Sequence, residues 1–148
     1  MALGEYNGFS AAQRTKAQKW LNDQWKAGTL PKPCQCAACG QTRGVIQAHA
    51  EDYSEPFEAG KTDQYHLCYR CHMIIHCRFR SVAQFKSYCQ TLKTGERFVP
   101  LFYTDWETFK KDHLINYGRG VGRERITPRD VCLLEQMIAA PEEELELG

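Results

Sequence analysis

Two pairs of cysteines constrain this chain more than any other feature. "CAACG" sets two residues between Cys36 and Cys39, "LCYRCH" sets two between Cys68 and Cys71, and 28 residues separate the pairs. Four thiolates presented by two such turns are the ligand set of a closed, tetrahedral Zn²⁺ site. One CxxC alone carries little weight, whereas two, the first followed at once by Gly40, are specific. The segment between them is polar and turn-rich, so apolar packing alone would not hold its shape and metal binding becomes part of folding. Cys34, Cys77, Cys89 and Cys132 read as bystanders, although "CQC" lets Cys34 stand in for Cys36.

Eight cysteines in a secreted chain would suggest disulfides. The opening "MALGEYNGFS" lacks the charged-then-apolar build of a signal peptide. No apolar run approaches the ~20 residues needed to span a bilayer. The expectation is a cytoplasmic protein with reduced cysteines and no membrane partner.

A second ligand set overlaps the second cysteine pair. "CHMIIHC" places His72 and His76 at i and i+4, so on a helix both imidazoles point the same way. A third histidine, His49, ends the short apolar run "VIQAH". An isolated histidine is most often structural, but a pair directly after a zinc knuckle, with another closing a nearby strand, suits a divalent cation.

Helical patterning surrounds this region. Residues 10–27 read as a helix, with Ser10 and Gln13 as a capping box, Ala17, Trp20, Leu21 and Trp25 on one face, Arg14, Lys16, Lys19 and Lys26 on the remainder, and Gly28 as its stop. A second spans 81–94, opened by Ser81 with Gln84 and turning Val82, Phe85, Cys89 and Leu92 inward. A third runs from Thr104 to about Tyr117. "GRGVGRER" over 118–125 follows, and a last helix starts at Thr127 with Pro128 at its first position. The glycine-arginine loop suits close approach to phosphates or a plain helix connection.

The formal net charge of +1 hides an asymmetry. Residues 1–129 carry all 19 Lys and Arg against 12 Asp and Glu, whereas residues 130–148 carry six acidic residues and no basic one. The body can therefore sit on a polyanion that would repel the tail. A solvated face explains each charge cluster equally well.

Taken in order, the CxxCG knuckle, the strand ending at His49, "HAEDYSEP" and LCxxCHxxxH resemble the HNH, or ββα-metal, endonucleases over about residues 34–78. Many members read His-His-x-Asp-Tyr-Ser-x-Pro where this chain reads His49 to Pro56. The resemblance implies a small ββα-metal core stapled by a four-cysteine zinc site; with the helical patterning on either side, the expected fold is α+β, mainly helical, the core flanked by N- and C-terminal helices. Together with the charge asymmetry this divides the chain into a basic helix and linker (1–33), the HNH zinc core (34–80), a helical extension (81–140) and an acidic tail (141–148). It further implies that His49, His72 and His76 hold one divalent cation, Mg²⁺, Mn²⁺, Ni²⁺ or Zn²⁺. Asp63 matches the Asn or Asp that braces the hairpin loop, although the segment from Pro56 to Cys68 is longer than in compact members. Ala50 stands where the family keeps its general-base histidine.

The implied substrate is DNA, double-stranded by expectation and either nicked or cut through, as in the small nucleases of phage, mobile-element and defence systems. Lys16, Lys19, Arg119, Arg123, Arg125 and Arg129, with Trp20 and Trp25, are the candidate DNA contacts. Two protomers nicking opposite strands would make a homodimer useful. Three readings of Ala50 stay open. It is an introduced His→Ala substitution, favoured because every other part of the site is kept; or a natural loss that leaves a zinc-containing DNA-binding or adaptor protein; or another group, His66 or Glu51, serves as base. A partner-controlled nuclease, with the acidic tail occupying a basic groove, is a further option.

Overall fold

Ser10 opens the first helix, α1 (Ala11–Ala27), in the computed structural model, which describes residues 4–59, 61, 64–79, 81–114 and 137. Its hydroxyl accepts from the Gln13 backbone N–H at 3.1 Å, satisfying one of the helix's unpaired donors. The other half of the expected capping box is absent, because the Gln13 amide instead donates to the Tyr53 carbonyl at 2.7 Å. Gly28 ends the helix at φ 77°, a left-handed conformation that a Cβ disfavours. Arg14, expected on the solvent face, is buried. The chain before the helix turns back through the Tyr6–Phe9 bridge, and the Arg14 guanidinium donates to the Gly4 carbonyl and lies 5.2 Å from the Tyr6 ring centre and 5.1 Å from that of Tyr53.

Strands β1 (Ile46–His49) and β2 (Tyr65–Cys68) pair antiparallel, with Ile46 opposite Cys68 and His49 opposite Tyr65. Side chains alternate across a strand, so Gln47, His49, Tyr65 and Leu67 share one face and Ile46, Ala48, His66 and Cys68 the other. β2 runs without a loop into α2 (Tyr69–Cys77). Cys68 makes that junction: it ends the strand and its sulfur accepts from the Cys71 backbone N–H as the cap of the helix. A small α+β arrangement results, a two-stranded sheet with helices before and after it.

α2 is the central element. Ile74 and Ile75 are fully buried and pack with Leu67, the clustered sulfurs, Phe109 and Met137. α3 (Val82–Lys93) buries Phe85, Tyr88, Cys89 and Leu92, with Val82 only half-buried. The Ser81 side chain makes no capping bond; its backbone N–H reaches the Cys77 carbonyl at 3.0 Å, so continuation from α2 replaces the expected box. α4 (Trp106–Asp112) begins later than expected, because the Asp105 carboxylate accepts from Phe102 N–H and closes a turn ahead of it.

Buried Arg70 ties α4 to α2, donating to the Val99 carbonyl at 2.8 Å, to Asp112 at 2.9 Å and to His113 Nε2 at 3.0 Å. Burial and the Arg70 charge lower the His113 imidazole to about 4, which keeps it a neutral acceptor. Among the described residues, no helix is long and apolar enough to cross a membrane. Asp63, the glycine-arginine loop with Arg119, Arg123 and Arg125, Arg129, Cys132, the helix expected from Thr127 and the acidic tail lie outside the described residues, apart from the buried Met137.

Candidate metal centres

The two cysteine turns meet as their spacing requires. The sulfurs of Cys36, Cys39, Cys68 and Cys71 all lie within 4.8 Å of one another, and none forms a disulfide. Cys39 Sγ and Cys68 Sγ are 3.7 Å apart. A tetrahedron with Zn–S bonds of ~2.3 Å has edges of about 3.8 Å, so the cluster already has the dimensions of a tetrathiolate site. Each turn folds back on its own sulfur: Cys39 N–H donates to Cys36 Sγ and Cys71 N–H to Cys68 Sγ, both at 3.4 Å. Gly40 supplies the left-handed residue, φ 80°, that lets the first turn reverse and its N–H reach the Cys36 carbonyl. Burial and the neighbouring sulfurs push the Cys71 thiol up, so four adjacent thiolates call for a cation among them. The four cysteines can therefore hold a metal ion. Exposed Cys34 is outside the cluster, which removes the alternative register, and buried Cys77 and Cys89 are bystanders as expected.

One helical turn further along α2, His72 and His76 face His49 at the end of β1, and these three also present ring nitrogens within 4.8 Å of one another. His72 Nε2 and His76 Nε2 are 3.0 Å apart. Burial and the other imidazoles lower both well below the usual histidine range, leaving neutral rings with lone pairs available to a cation. Their outer contacts fix which nitrogen faces inward. Gln47 Oε1 lies 2.8 Å from His72 Nδ1, so that nitrogen is the donor and Nε2 is bare. The Glu51 carboxylate lies 2.7 Å from His49 Nε2, and His49 Nδ1 is buried with no hydrogen-bond partner. A buried polar nitrogen without a partner is costly unless something binds it. The three histidines are thus placed so that they can hold a metal ion.

Replacing Gln47 by leucine is expected to lower Ni²⁺ affinity at the histidines by about 10–100-fold while zinc at the cysteines is retained, as calorimetric titration would show. Unchanged Ni²⁺ affinity would mean that the Gln47 contact does not set the His72 tautomer.

Glu51 sits in a buried polar network. Arg78 donates to its Oε1 at 2.8 Å and to the Tyr6 hydroxyl at 2.7 Å, and that hydroxyl donates to Oε2. Burial works to raise the Glu51 carboxyl, but the His49 hydrogen bond and the Arg78 charge outweigh it and hold it at about 2. Tyr6 is pushed the other way, by burial and by the Glu51 charge, and stays a phenol that donates. Both side chains of the Glu51–Arg78 pair are almost wholly buried. Glu51→Ala would leave the guanidinium unpaired in the interior and is expected to destabilise the fold by about 3–5 kcal/mol in denaturant melts. A loss under about 1 kcal/mol would mean water replaces the carboxylate.

Ala50 follows β1 directly and is half-buried. Of the two alternative bases, Glu51 is hydrogen-bonded to Tyr6, His49 and Arg78, whereas His66 lies on the opposite face of the hairpin from His49 and borders one cleft with Ala50. Lys16 and Lys19 are exposed on α1, where Lys16 pairs with Glu55 and Lys19 with Asp23. Exposed pairs of this kind contribute little and separate readily. Gln47, Tyr6, Arg78 and Tyr88, whose hydroxyl lies 2.9 Å from Cys71 Sγ, were not foreseen from the sequence. Only Gln47 carried a signal there, two residues before His49 and hence on its face. Comparison of the chain with protein-family models, curated proteins and solved structures gave no match.

Proposed function

We propose that the protein is a metal-dependent endonuclease of the HNH, or ββα-metal, class that hydrolyses phosphodiester bonds of DNA, with its general-base position occupied by Ala50. One observation carries the reading. Three imidazoles converge from the end of a two-stranded hairpin and the helix that follows it, beside a cysteine cluster sized for zinc. In this reading zinc at Cys36, Cys39, Cys68 and Cys71 is structural, and His49, His72 and His76 hold the second cation.

When bound there, a divalent cation would act as a Lewis acid toward the scissile phosphate and the departing 3′ oxygen. The chain's own residues have distinct tasks. Gln47 and Glu51 hold His72 and His49 in the tautomers that aim a bare nitrogen inward. Tyr6 and Arg78 keep Glu51 ionised and in place. Position 50 adjoins the ligand His49, where a histidine would take the proton of the attacking water, and a methyl group cannot. Asp63 as the loop brace and Arg119, Arg123 and Arg125 as phosphate contacts belong to the same proposal.

The test is nicking of supercoiled plasmid by this chain and by Ala50→His, in Mg²⁺, Mn²⁺, Ni²⁺ or EDTA. Metal-dependent cleavage by the histidine variant supports the nuclease. A zinc-stabilised DNA-binding or adaptor protein, the second reading, is favoured by Ala50 itself and predicts no cleavage from either.

A further inference from the structure

On the face of the hairpin away from α2, a cleft of about 270 Å³ separates β1 and β2 from α1. Trp20 and Trp25 of α1 and Phe57 from the connection between the strands give it aromatic walls. Close-packed interiors leave few voids larger than a water molecule, so an opening of this size bounded by two tryptophans is not ordinary core. The apolar stripe of α1 therefore does not close onto the sheet; Trp20 and Trp25 remain half-buried and border open space.

Three properties define an occupant. The volume lies just under the ~300 Å³ at which sites for drug-sized ligands begin, which suits a single ring system. The aromatic walls offer stacking surface, while Gln18, Gln64 and Asp52 put amide and carboxylate groups at the same cleft. Amides and a carboxylate match the donors and acceptors on the edge of a nucleobase, whereas Asp52 and Glu58 outnumber the one lysine of the lining, Lys61, so the cleft is no cradle for a phosphate. Finally, His49 and Ala50 also line the cleft, so its mouth adjoins the histidine cluster.

We propose that this cleft receives one unstacked nucleobase next to the phosphate held at the histidines. The inference rests on the nucleic-acid reading above and deepens it: the preferred substrate presents an unpaired or extruded base beside the scissile bond. Enzymes that accommodate such a base stack it on aromatic or apolar side chains and read its edge by hydrogen bonds.

Fluorescence anisotropy with the zinc-loaded full chain tests this, since Ala50 permits binding without cleavage. The probes are a labelled thymidine strand of about 12 nucleotides, within the span of a single-strand site, and a strand of the same length with abasic residues, which keeps the phosphates equal. The thymidine strand is expected to bind about tenfold or more tightly, within the range of a stacked base. Trp20→Ala should remove most of that difference and leave the abasic strand's affinity unchanged. Ala17→Phe, which fills the cleft from the same helix, should do likewise and serves if the tryptophan variant fails to fold, as judged by zinc content and melting. Equal affinity for the two strands, or variants that weaken both alike, overturns the base pocket and leaves the nuclease reading to plasmid cleavage by Ala50→His. Binding of neither strand, nor of plasmid, overturns both. Occupation by an apolar dye with no discrimination between the strands points to an apolar partner and overturns the nucleobase.

Discussion

Replacing Ala50 by histidine is expected to raise metal-dependent plasmid nicking by about 10²–10⁴-fold, the contribution of a positioned general base. Little else has to move. Position 50 follows the last residue of β1, is half-buried, and lines the cleft rather than the core, so an imidazole there displaces no packed side chain of α2. Adding His76→Ala should abolish the gain, because a base without the cation has no polarised phosphate to act on. Equal cleavage by the parent and Ala50→His would show that another group activates water. Silence from both, with zinc bound and the fold intact, would favour a binding module.

Stripping metal from the four cysteines is expected to have a larger effect, on structure rather than rate. Cys36, Cys68 and Cys71 are buried within the core, and Cys68 also begins α2. In small zinc domains the bound ion contributes an apparent ~10–16 kcal/mol, as much as a whole domain's usual stability. Chelation, or Cys71→Ser, should therefore abolish the cooperative melt and reduce helical circular dichroism, with recovery on adding Zn²⁺ to the chelated protein. Cys34→Ser should change nothing, because Cys34 is exposed and outside the cluster. A chelated chain that still melts cooperatively near the original temperature would show that the apolar contacts of Ile74, Ile75 and Phe109 suffice.

The parts legible in the sequence are those with short-range chemical grammar. CxxC spacing fixed which sulfurs meet, the i, i+4 pair fixed two imidazoles on one face of α2, and Ser10 with Gly28 marked the ends of α1. Contacts between distant segments left no such trace. Tyr6 reaches Glu51 across 45 positions and Arg78 across 72, and the Arg14 burial that accompanies them depends on a turn bridged by Tyr6 and Phe9. The apolar stripe of α1 was readable; that it would stand off from the sheet was not. Periodicity reports which residues avoid water, not how closely the facing surface approaches. The face that His66 takes likewise follows from strand register, which needs the pairing of β1 with β2.

Cys68 has a consequence for how the two centres fill. It closes β2, caps α2 and lies in the sulfur cluster, while His72 and His76 extend from the same nine-residue helix. An ion bound at the cysteines would hold that helix in the orientation the imidazoles need, and so would raise their affinity for a second ion. Reciprocity then requires occupation at the histidines to tighten the cysteines' hold on theirs by the same factor. The two centres would then form one thermodynamic unit, in which loss of the ion at the cysteines also weakens the hold of the histidines on theirs.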